Sequence, residues 1–70
     1  MNYIVNPRLS YILKEKGMTQ MQLSELTGIN QAVISRFDRN RQHMDLHLIL
    51  ISKALNVPIE DLFIIREIED

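Results

Sequence analysis

Apolar residues in this chain form short clusters separated by polar punctuation, and within most clusters they recur every three or four residues, the period of a helix with one buried face. The pattern predicts five helices. Leu9, Ile12 and Leu13 mark the first, with Asn6 placed to cap it, Pro7 at its first position, and Gly17 to end it in a left-handed conformation. Thr19 and Gln22 have the spacing of a capping box, which opens a second helix through Leu23 and Leu26 and up to Gly28. Asn30 is a strong cap for a third, whose buried stripe is Val33, Ile34 and Phe37. The stretch Arg39-Asn40-Arg41-Gln42-His43 has no apolar residue and reads as an exposed loop. Asp45 caps the fourth helix, which runs to about Leu55, is apolar on nearly every side and closes at Asn56. Pro58 opens the fifth, carrying Leu62, Phe63, Ile64 and Ile65, with Glu60 and Asp61 at its positive dipole end.

The expected fold is therefore all-α: a five-helix domain over residues 1–70, with a core from 6 to 64 and tails at 1–5 and 65–70. Tyr3, Ile4 and Val5 have the alternative of docking or pairing as a short strand. At 70 residues there is room for one modest core, and without cysteine there is no disulfide or thiolate metal site to staple it. Helix packing and self-association remain as sources of stability. The apolar runs Leu48–Ile51 and Leu62–Ile65 are far too short to span a bilayer, and Met1–Val5 lacks the features of a signal peptide, so a cytoplasmic protein without membrane contact is expected.

A net charge of −1 at first argues against a nucleic-acid partner. The charge is unevenly spread, however. Residues 1–58 carry a net +3, including Arg36, Arg39 and Arg41, whereas residues 59–70 carry a net −4. An acidic tail thus masks a mildly basic body.

The stretch from Thr19 to Asp38 carries the functional signal. Two short helices meet across Thr27-Gly28-Ile29-Asn30, a turn tight enough to need glycine. Ser24 is a small residue where the helices approach, and Leu23, Ile29, Ile34 and Phe37 can lock their angle. What remains on the second of the two is Gln31, Ala32, Ser35, Arg36 and Arg39, a stripe without an acid. Glutamine amides pair with adenine and arginine with guanine in the major groove, and the Ala32 methyl suits a thymine methyl. Thr19 and Gln20, at a helix start, suit phosphate.

The pattern Thr19-Gln20-x-x-Leu23-Ser24-x-x-Thr27-Gly28-Ile29-x-Gln31-x-x-Ile34-Ser35-Arg36 resembles the Cro and phage-repressor family of helix-turn-helix domains. Lys53-Ala54-Leu55-Asn56-Val57-Pro58-Ile59-Glu60-Asp61-Leu62-Phe63 is similar to that family's last two helices, and Arg41 to Leu48 to a subgroup of small bacterial and prophage regulators. The resemblance covers residues 7–63. It implies a five-helix domain whose third helix reads the major groove of double-stranded DNA, often as a homodimer on a palindromic operator. By position it implies base contacts from Gln31, Ala32 and Arg36, a phosphate contact from Gln20, and backbone contacts from the loop Arg39, Asn40 and Arg41; the outward stripe adds Ser35 to the expected base contacts, and the helix starts add Thr19 and Asn30 to the expected phosphate contacts. Where the family has Glu-Asn-Gly after the third helix, this chain has Asp38-Arg39-Asn40, and Asn40 is expected to take the left-handed position.

Other readings weigh less. His43 and His47 are four apart, but the expected Asp45 cap leaves His43 outside the helix, and no further ligand completes a metal set. The serines have no neighbouring His–acid pair and no phosphate loop exists, so neither an enzyme nor a cofactor is expected. The surplus of apolar residues places a dimer interface on Leu50, Ile64, Ile65 and Ile68, through the fifth helix and C-terminal tail, with the N-terminal Tyr3–Val5 segment as the less favoured contact. The same surplus motivates an alternative on the same fold, an antitoxin-like or anti-repressor module that holds a protein partner.

Overall fold

A computed structural model describes residues 1–69; Asp70, the last of the acidic tail, lies outside the described residues. The chain runs β1 (Asn2–Pro7), α1 (Leu9–Lys16), α2 (Gln20–Thr27), α3 (Gln31–Arg36), α4 (Asp45–Leu55) and β2 (Phe63–Ile68), with single 3-10 turns at Phe37–Arg39 and Ile59–Leu62. The all-α, five-helix expectation is thereby corrected: the described residues form four α-helices and a two-stranded antiparallel sheet. The expected fifth helix survives only as the turn Ile59–Leu62, after which the chain extends. The physical reason is the β-branched content of the two ends. Ile64, Ile65 and Ile68 favour a pleated strand, and a four-residue apolar run cannot by its period distinguish helix from strand. Ile4 and Val5 supply a matching partner, in the register Asn2↔Ile68, Ile4↔Arg66 and Pro7↔Phe63. The Tyr3–Val5 pairing left open by the sequence thus occurs, and residues assigned to both tails lie in the ribbon.

Pairing of β1 also displaces the expected first cap. A residue before proline is held extended, so Asn6 belongs to the strand, and Pro7 ends it as an edge residue that needs no N–H. Arg8 flanks α1 without a side-chain cap of its own. Asp38, 29 residues further along the chain, caps the helix instead: its carboxylate accepts from the Leu9 N–H at 2.7 Å, the Ser10 N–H at 3.0 Å and the Ser10 hydroxyl at 2.6 Å. Asp45 is likewise the first residue of α4 rather than its cap, its carboxylate accepting from the Leu46 N–H.

Other punctuation acts as expected. Gly17, Gly28 and Asn56 take left-handed conformations at the ends of α1, α2 and α4. The capping box is complete, Thr19 Oγ1 accepting from the Gln22 N–H and the Gln22 side chain from the Thr19 N–H. The core gathers Leu9, Ile12, Leu13, Leu23, Ile29, Ile34, Phe37, Ile51, Leu55 and Leu62, so every helix and the 3-10 turn at Leu62 contribute. Leu48, Leu50, Ala54 and Phe63 pack against it, partly buried. The apolar character of α4 has a divided use: Ile51 and Leu55 are buried, whereas Leu46 and Ile49 are exposed.

Candidate nucleic-acid interface

The geometry of α2 and α3 is set by the turn between them. Gly28, at φ 75°, reverses the chain, and its N–H returns to the Ser24 carbonyl at 2.8 Å. The Ser24 hydroxyl donates to the Ile29 carbonyl at 2.6 Å, which explains the small polar residue at the closest approach. Thr27 Oγ1 donates to the Leu23 carbonyl and accepts from the Ile29 N–H. Asn30 Oδ1 accepts from the Ala32 N–H at 2.8 Å, capping α3. Leu23, Ile29, Ile34 and Phe37 are all buried beneath this frame, so neither helix can rotate without opening the core.

With Ile34 and Phe37 committed inward, the remaining face of α3 is fixed. Gln31, Ala32, Ser35 and Arg36 are all exposed, and Val33 is half-buried at the edge. The Ser35 hydroxyl donates back to the Ala32 carbonyl at 3.2 Å, which leaves Gln31 and Arg36 as the long polar side chains of this face. Gln20 sits half-buried at the start of the neighbouring α2, beside exposed Thr19. The capping box occupies the Thr19 and Gln22 N–H groups, so the Gln20 and Met21 N–H groups are the unsatisfied donors of that helix end.

Beyond α3 the chain departs from expectation. Asn40 is extended (φ −90°, ψ 142°) rather than left-handed, because the 3-10 turn Phe37–Arg39 already redirects the backbone. Arg39, Asn40 and Arg41 are exposed and line a cavity of about 260 Å³ together with Val5, Pro7 and Phe63. The loop is held from below by His43. Its ring stacks on Phe37 with centroids 4.0 Å apart, and its Nε2 lies 2.8 Å from the Phe37 carbonyl, which accepts the bond. Phe63 closes the stack, 6.0 Å from Phe37 and 5.8 Å from His43. His43 is thus a packing residue of the loop. Among the described residues no group of three or more His, Cys, Asp or Glu side chains is placed to hold a metal ion.

The residues named for base and phosphate contact fall on α3, the start of α2 and the loop after α3. The four named for a dimer interface are not one patch. Ile64 and Ile68 share one face of the ribbon, Ile65 lies on the other, and Leu50 packs partly buried on α4. Sequence reasoning missed two residues that position the interface, Asp38 and His43. Asp38 did carry a signal: an acid at the C-terminal end of a helix opposes the helix dipole and is better placed at the start of another.

The sequence model of the Cro/C1-type HTH DNA-binding domain matches residues 8–67. The chain belongs to that family. The match covers α1 to the end of α4 and most of β2, and it makes the chain a DNA-binding regulator of the Cro/C1 type, a family typically without enzymatic activity. No curated protein matches the sequence. No helix among the described residues is long and apolar enough to cross a membrane.

Proposed function

We propose that this Cro/C1-type domain is a sequence-specific transcriptional regulator, a repressor, that acts in the cytoplasm by laying α3 in the major groove of double-stranded DNA. The observation that carries the reading is the acid-free exposed face of α3, with Gln31 and Arg36 on a helix whose opposite side is locked by Ile34 and Phe37. In this reading Gln31, Ala32, Ser35 and Arg36 meet base edges, and Thr19, Gln20, Asn30, Arg39, Asn40 and Arg41 meet the backbone. A chain of net charge −1 has little Coulombic pull on DNA, so two copies are needed for firm binding. The operator is accordingly a palindrome and the regulator a homodimer.

The test is a gel shift with DNA flanking the protein's own gene. A retarded band that survives excess unrelated duplex is expected, and its absence at every salt concentration overturns the proposal. A second reading has one observation in its favour: Met44, Leu46 and Ile49 are exposed around the start of α4, a surface suited to a protein partner. Absence of any DNA binding is the result that would favour it.

A further inference from the structure

Among the described residues β1 and β2 form a sheet of two strands, so each has one edge without a neighbouring strand. A two-stranded ribbon is marginal by itself in water. Of its twelve residues only Ile4, Pro7 and Phe63 are even half-buried. Tyr3, Val5, Ile64, Ile65 and Ile68 are 44–52% exposed and are distributed over both faces. A cover laid on one face would leave the other wet. A strand added at an edge places cross-strand neighbours on both faces at once.

The two edges differ in what they can accept. β2 carries Arg66 and Glu67, and Glu69 follows. In a two-fold antiparallel pairing the central residue faces its own copy, and residues equidistant from it face each other. Centring β2 on residue 66 or 67 sets like charges face to face; centring on Ile68 sets Glu67 against Glu69, and centring on Ile65 sets Phe63 against Glu67. Charges of this kind protect an edge from pairing. β1 has no acidic or basic side chain from Asn2 to Pro7, and none that is charged at neutral pH. Centred on Ile4 it is self-complementary: isoleucine meets isoleucine, Tyr3 meets Val5 and Asn2 meets Asn6. Aromatic and β-branched pairs are among the favourable cross-strand contacts. Pro7, which has no N–H to give, falls beyond this five-residue ladder.

We propose that two copies of this chain pair through β1, antiparallel about Ile4, to make a four-stranded sheet in the order β2–β1–β1–β2. The inference rests on the dimeric DNA-binding reading above and specifies its interface. The pairing is isologous and closes at two copies, and it leaves the charged β2 edges outermost, where they oppose further growth. It also has a functional consequence. Val5 and Pro7 line the same cavity as Arg39, Asn40 and Arg41, so the pairing strand lies beside the loop proposed to contact the DNA backbone. Joining two copies at β1 then sets the separation of the two α3 helices.

The chain has no cysteine, so single introduced thiols report cleanly. Opposed residues in antiparallel strands have Cα atoms about 4.5–5.5 Å apart, within disulfide reach. Under mild oxidation Ile4→Cys is expected to give mostly covalent dimer, and Arg66→Cys, its ribbon neighbour on β2, mostly monomer. Tyr3→Cys mixed with Val5→Cys, both at exposed positions that folding tolerates, is expected to form the mixed dimer faster than either variant cross-links alone. Equal cross-linking at Ile4→Cys and Arg66→Cys overturns the proposal, as does a monomer in sedimentation of the unsubstituted chain at micromolar concentration. If that monomer still binds its DNA, the interface is wrong and the DNA-binding reading stands. If Ile4→Cys cross-links and no DNA is bound, the interface stands and the DNA-binding reading falls.

Discussion

Replacing Asp38 should destabilise the domain markedly for a side chain outside the core, because one carboxylate closes the start of α1 and anchors it to the 3-10 turn after α3. The carboxylate accepts three hydrogen bonds, two of them from backbone N–H groups in the first turn of α1, and Arg8 supplies no substitute cap. Loss of a cap costs about 0.5–2 kcal/mol. Leu9 is 1% exposed, so its N–H is left with little access to water, and an orphaned donor adds about 1–3 kcal/mol. Asp38→Ala is thus expected to cost about 2–4 kcal/mol, a large part of the roughly 4–10 kcal/mol that holds a domain of this size. Asp38→Asn keeps one acceptor oxygen and should cost about half as much. Ser10→Ala removes only the hydroxyl bond and should cost about 0.5–1.5 kcal/mol. The assay is urea unfolding followed by far-UV circular dichroism. With a slope of about 1 kcal/mol per molar urea for a small domain, the Asp38→Ala midpoint should fall by about 2 M or more. A midpoint within about 0.3 M of wild type, at unchanged slope, would refute the assignment of this carboxylate as the cap.

Two further outcomes follow from the interface. Arg39→Ala or Arg41→Ala should weaken specific and non-specific DNA alike and lower the slope of log affinity against log salt by roughly one unit each; an unchanged slope for both removes them from the backbone contacts. Gly28→Ala meets no atom within 4 Å of the added Cβ, so its cost is backbone strain alone at φ 75°, about 1–2 kcal/mol by urea unfolding, and no loss would mean the turn does not need its left-handed residue.

The helix-turn-helix was legible because every device that builds it is local. The Thr19–Gln22 box, Gly28 and the Asn30 cap lie within a few residues of the backbone groups they satisfy, and Leu23, Ile34 and Phe37 follow the helical period. What the sequence concealed is non-local. The Asp38 cap joins residues 28 and 29 positions apart, and the ribbon joins the two ends of the described chain. The run Leu62–Ile65 gave no period to choose by, and a proline at position 58 with two acids after it imitates a helix start. The β-branched residues at both ends were the available clue. They acquire meaning only when Ile4 and Val5 are set opposite Arg66 and Ile65. The proposed base-contacting residues could be named because inward-facing neighbours determine an outward face. The proposed dimer residues scattered because a strand alternates its side chains where a helix would have grouped Ile64, Ile65 and Ile68.

The central claim is that α3 reads DNA sequence, and it is tested most directly by selecting bound duplexes from a random pool with the wild-type chain, Gln31→Ala and Arg36→Ala in parallel. The account predicts a two-fold symmetric motif for the wild type, with half-sites about 34 Å apart. Each substitution should relax the preference at one base position per half-site and cost about 1–3 kcal/mol of specific binding. Recovery of the unaltered wild-type motif by both folded variants would contradict it.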